Sequence, residues 1–92
     1  MSQYVYYVRV QLFNPGGCLV DTDSSISGQL PIIYKSRRKA VQCYERFCLA
    51  HENMGFSRVD FADTLSLMSC QVTHPVTLAC YRIQLFEVQI LI

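Results

Sequence analysis

An α+β fold, with an antiparallel β-sheet carrying one α-helix at about residues 36–54 on one face, is what this 92-residue chain predicts. Three stretches point there. Tyr4 to Phe13 alternates apolar and polar residues with the period of a half-buried strand. Ser36 to Met54 repeats apolar residues at helical spacing. Val76 to Ile92 is a long apolar run rich in strand formers. Ninety-two residues make a single domain, 1–92, with a modest core.

In the first strand Tyr4, Tyr6, Val8, Val10 and Leu12 form the core face, with Arg9 and Gln11 opposite. Asn14-Pro15-Gly16-Gly17 is a turn, because proline fixes φ and glycine tolerates positive φ. Cys18-Leu19-Val20 returns from it as a short strand. Asp21 to Gly28 is a polar loop. Its Asp21-Thr22-Asp23 opening lacks the glycine and closing glutamate of a calcium loop, so no metal is expected there. Gln29 to Tyr34 is an extended approach to the helix, and Pro31 confines it to a sheet edge.

Ser36 is the expected helix N-cap, since its hydroxyl can accept from first-turn amides. Val41, Tyr44, Cys48 and His51 share one line, and Ala40, Cys43, Phe47, Ala50 and Met54 an adjacent one. Gly55 with Phe56 is the expected stop. The first turn runs against preference: Lys35, Arg37, Arg38 and Lys39 surround an end where the macrodipole is already positive. Two readings stay open, a solubilising face or an edge that attracts phosphate or carboxylate.

Beyond the helix, Ser57 to Ala62 reads as a short strand with Val59 and Phe61 on one face. Asp63-Thr64 turns the chain, Leu65 to Thr73 is a strand, and His74-Pro75 is the next turn. Val76 to Ile92 then forms one long strand. Its inward set changes phase between Ile83, Leu85 and Phe86, Val88, Ile90, which predicts a β-bulge near Leu85. Val41, Tyr44, Phe47 and Cys48 should pack on Val8, Val10, Leu12, Ile83 and Leu85. One echo stands out: Arg9-Val10-Gln11-Leu12-Phe13 matches Arg82-Ile83-Gln84-Leu85-Phe86. Five residues are too few to establish a repeat, but both strands would place arginine on one polar sheet face.

Charge and cysteine content narrow the function. Net charge is +1, so bulk polycation binding of duplexes and acidic DNA mimicry are both excluded. The five cysteines form no C-x-x-C, and Cys43, Cys48, Cys70 and Cys80 lie in apolar patterns, as reduced thiols do. No secretory leader and no bilayer-length apolar run is expected. Cys70, His74 and Cys80 match no common zinc spacing. His51 reads as a core or interface histidine, and no nucleophile, phosphate-loop or dinucleotide signature is present. No cofactor and no enzymatic activity are expected.

Taken whole, from Met1-Ser2-Gln3-Tyr4-Val5-Tyr6-Tyr7-Val8-Arg9-Val10 through Lys35-Ser36-Arg37-Arg38-Lys39-Ala40 to the apolar tail, the chain resembles phage-encoded anti-CRISPR proteins. It is similar to the small inhibitors of the type I-F surveillance complex. The resemblance covers the full length, and with no short motif behind it, no residue role carries over. It implies a non-enzymatic protein of the host bacterial cytoplasm that binds the crRNA-guided complex and blocks target DNA. Such inhibitors dock on backbone, tail or large-subunit proteins, and some reach the guide RNA. Against that partner, Asp21 and Asp23 could meet its basic residues, while Lys35, Arg37, Arg38, Lys39 and Arg46 could meet RNA. Arg9 and Arg82 complete the candidate set. A single-stranded nucleic-acid binder stacking bases on Tyr4, Tyr6, Tyr7, Tyr34 or Tyr81 is the alternative. A weak homodimer, paired through the long last strand, is a further one.

Overall fold

The computed structural model describes residues 2–22 and 33–91. Its elements are strands β1 (Ser2–Phe13), β2 (Leu19–Thr22) and β3 (Ile33–Tyr34), helix α1 (Arg37–Asn53), then β4 (Ser57–Asp60), β5 (Met68–Thr73) and β6 (Cys80–Leu91). The strands form a six-stranded sheet in the order β2-β1-β6-β5-β4, with β3 also on β1. Every pairing is antiparallel. The α+β expectation, one helix on an antiparallel sheet, therefore holds.

The two long strands are the centre of the sheet. β1 and β6 pair without interruption from Ser2 opposite Leu91 to Phe13 opposite Cys80. No bulge interrupts β6 on either side, which corrects the one expected near Leu85. What changes along β6 is not the phase but which face is apolar. Ile83 and Leu85 point toward α1, whereas Phe86 lies on the other face with Arg82 and Gln84. β6 also begins later than expected, because His74 to Ala79 is spent on a turn in which the His74 ring Nδ1 accepts from the amides of Val76 and Thr77. β5 likewise starts at Met68, not Leu65.

The hairpin from β1 to β2 turns as expected. Asn14 accepts from Gly17 N–H at 2.9 Å through its carbonyl and from Cys18 N–H at 2.9 Å through its side chain. Gly17, at φ 85°, supplies the left-handed step. Helix α1 starts and stops where its residues dictate. The Ser36 hydroxyl accepts from Lys39 N–H at 3.3 Å. Gly55, at φ 93°, donates to Glu52 O, and Phe56 donates to His51 O, the paired bonds of a Schellman ending.

The core lies between α1 and the sheet. Val8, Val10, Cys48, Cys70, Val72, Ile83 and Leu85 are fully buried, with Tyr44 the largest side chain among them. Each large apolar group so buried contributes roughly 1.5–3 kcal/mol. Of the four helix residues expected to pack on the sheet, Tyr44 and Cys48 are fully buried, whereas Val41 and Phe47 are only partly buried; Met54 is exposed beyond the last turn. His51 is a core histidine. Its Nδ1 stands 2.7 Å from the Phe47 carbonyl, which can only accept, so that nitrogen carries the proton. Its ring meets Phe56 edge-on at 5.3 Å and Tyr81 at 4.7 Å.

Cys48 and Cys70 are free thiols with sulfurs 3.1 Å apart beneath Tyr44. Sharing a hydrogen bond lowers the Cys70 pKa and raises that of Cys48, and burial raises Tyr44. Among the described residues no helix is long and apolar enough to cross a membrane.

Candidate functional site

The candidate residues separate into two groups on opposite sides of the sheet. Lys35, Arg37, Arg38, Lys39 and Arg46 are all exposed along α1 and its approach. Arg38, Gln42 and Arg46 recur at intervals of four, so the cationic edge continues down the outer helix face. No acidic residue occupies the first turn. Among the described residues none of these five cations forms an ion pair, because every salt bridge there belongs to Arg58.

The described acids are engaged elsewhere. Arg58 reaches Glu45 at 3.3 Å, Glu52 at 3.1 Å and Asp60 at 2.8 Å, tying α1 to β4. Asp63 accepts from Leu65 N–H at 2.9 Å and from the Gln84 amide at 2.6 Å. The Leu65 amide, then Gln84, holds its carboxyl below the ordinary carboxylate range. Burial, and then the Glu87 carboxylate opposite it in the sheet, pushes the Tyr6 phenol up. Asp21 lies in β2 opposite Leu12, and Asp23 falls outside the described residues. Net charge near zero thus hides a local asymmetry, with five exposed cations that form no ion pair among the described residues lying along α1 and its approach.

Arg9 and Arg82 do share one face, as the echo suggested, but it is the face turned away from α1. The two matching segments lie antiparallel to each other, with Arg9 opposite Gln84, Val10 opposite Ile83 and Gln11 opposite Arg82. Each arginine covers the phenylalanine of the other segment. The Arg9 guanidinium carbon sits 4.8 Å from the Phe86 ring centre, and that of Arg82 sits 4.8 Å from Phe13. Arg9 also donates to Gln84 at 2.6 Å, and Gln84 passes the contact on to Asp63. Phe86 stacks on Tyr7 at 4.9 Å.

Phe13, Phe61, Phe86 and Asp63 were not singled out from sequence. The signal was there in part: each segment places phenylalanine four residues after arginine, on the same strand face. Phe61 and Asp63 carry no such signal, since they reach this face from the stretch between β4 and β5.

The tyrosines are mostly committed to packing. Tyr6 is buried, Tyr34 and Tyr81 pack on the core, and Tyr7 stacks on Phe86, leaving Tyr4 as the exposed one. β6 is a central strand up to Leu85, and only residues 86–91 leave an edge beyond the reach of β5. Among the described residues no three His, Cys, Asp or Glu side chains form a metal-holding group. No protein-family model, curated protein or solved structure matches this chain.

Proposed function

We propose that this chain is a non-enzymatic binding protein of the anti-CRISPR kind. It docks on the crRNA-guided type I-F surveillance complex in a bacterial host and obstructs pairing of guide with target DNA. The observation that supports this reading most is the cationic edge: Lys35, Arg37, Arg38 and Lys39 at the helix N-terminus and Arg46 further along, all exposed and without an ion pair among the described residues. Such a cluster costs helix stability, roughly 0.3–1 kcal/mol for each misplaced charge, and that cost is offset when an RNA backbone or acidic protein surface covers it. The resemblance of the whole chain to phage-encoded type I-F inhibitors supplies the identity of the partner.

The test is retention of the purified protein on an assembled, guide-loaded type I-F complex, followed by target DNA binding. Retention with loss of DNA binding is the expected result. Reversing Arg37, Arg38 and Lys39 to glutamate should weaken retention at least tenfold and flatten its dependence on salt. Unchanged affinity in that triple variant would remove the helix end from the mechanism. No retention at all would end the anti-CRISPR reading.

A further inference from the structure

Three arginines are partly buried in this protein, and they differ in what neutralises them. Arg58 has three carboxylates. Arg9 has the Gln84 relay to Asp63. Arg82 has no acid and no hydrogen-bond acceptor among the described residues; its Nε, like that of Arg9, is fully buried without a partner, but only Arg9 has another bond to offset it. A guanidinium in that position carries an uncompensated desolvation cost, which an anion with acceptor oxygens would relieve.

The surroundings of Arg82 form a cavity. An open pocket of about 340 Å³ is lined by Val59, Phe61, Gln71, Thr73 and Arg82, on the sheet face away from the helix and its cations. The guanidinium lies against two rings, Phe13 at 4.8 Å and Phe61 at 5.7 Å. With the Nε covered, the two terminal Nη groups are what the guanidinium can turn toward a ligand, a pair that takes a carboxylate through two parallel bonds. Gln71, directly opposite Arg82 in the sheet, and Thr73 add neutral donors, while Val59 and Phe61 supply an apolar wall. One cation among apolar walls suits a monoanion with a hydrophobic body better than a phosphate dianion, which draws on several cations.

We infer that this cavity is a binding site for a carboxylate borne on a short apolar or aromatic body, with Arg82 as the anion-holding residue. The site is separate from the helix edge and stands whether or not the proposed partner is correct. The carboxylate could come from a free small acid or from an aspartate beside an aromatic residue in a polypeptide.

Nuclear magnetic resonance of the ¹⁵N-labelled full chain tests it, because the buried Arg82 Nε–H gives a side-chain signal of its own. The probes are 3-phenylpropionate and its neutral amide, 3-phenylpropanamide, with blocked Phe-Asp and Phe-Asn dipeptides as the second arm. At least one acid should bind saturably, shift the Arg82 Nε–H and the Gln71 and Val59 amides, and bind at least tenfold more tightly than its neutral counterpart. Whichever acid binds more tightly identifies the source. Arg82→Lys keeps the charge but loses the planar fork, and should weaken binding at least fivefold. Acid and amide binding alike to the unaltered protein, or shifts centred on residues 35–39 instead, would overturn the assignment. So would failure of both acids to bind.

Discussion

The two faces of the sheet are built on different principles although the same strands supply both. Toward the helix, Val8, Val10, Ile83 and Leu85 meet Ala40, Tyr44 and Cys48 in a dry core. Away from it, Arg9, Gln84 and Phe86 interlock with Asp63, and Arg82 leans on Phe13 and Phe61. The first face is held by apolar area removed from water, which any well-shaped side chain can supply. The second is held by directional contacts between charged and aromatic groups, which are specific to their partners. A short chain obtains two ordered surfaces from one layer of strands in this way, and the face that the helix leaves uncovered carries polar chemistry of its own.

The largest effect should come from the dry face. Tyr44→Ala removes its biggest fully buried side chain and should cost about 3–5 kcal/mol by urea denaturation, while Phe47→Ala, only partly buried, should cost about half as much. Equal costs would mean that the helix rolls to bury Phe47. On the other face, Gln84→Leu strands both Arg9 and Asp63 and should cost about 1–3 kcal/mol despite gaining an apolar group. A stabilised variant would show that this face is an apolar layer after all.

Acid and alkali should separate the faces as well. Asp63 titrates below its ordinary value of 3.8, so its contribution is present above that pH and is lost as pH falls through its lower folded value. Urea midpoints between pH 5 and 2 should therefore fall less steeply for Asp63→Asn. Tyr44 is raised above its ordinary 10.0, so its contribution is present below pH 10 and is lost as pH climbs beyond it. Tyr44→Phe should flatten that alkaline limb and leave the acid limb alone. The smallest effect concerns the helix edge: Arg37→Glu should stabilise the isolated protein by about 0.3–1 kcal/mol, measurable as a raised midpoint that shrinks in salt.

The dry face was largely legible in the sequence because its signals are periodic. Alternation in Tyr4 to Phe13, the Ser36 cap and the Gly55 stop each follow from one residue type in one local geometry. Misreadings arose where two faces were both filled. Phe86 mimics a shift of phase because alternation alone points every apolar side chain at a single core, whereas it belongs to a second layer with Tyr7 and Arg9. Helical spacing sorts residues into lines but does not say which line sits deepest, so it does not separate the fully buried Tyr44 from the partly buried Phe47. The cationic edge was legible as composition. The cavity beside Arg82 was not, since Val59, Gln71 and Arg82 meet only through pairing between distant strands.

The central β1–β6 pairing brings together residues as far apart as Arg9 and Gln84, 75 positions distant in the chain. Closing so wide a loop is entropically costly and is repaid only once many rungs have formed, which places the fold among slow, all-or-none assemblers. The helix can coil early from local signals alone, yet the floor it rests on lacks Ile83 and Leu85 until β6 arrives. On a ribosome, then, the nascent chain would hold Tyr44 and Cys48 incompletely covered until β6 emerged, and this sheet would close in a single step only after that.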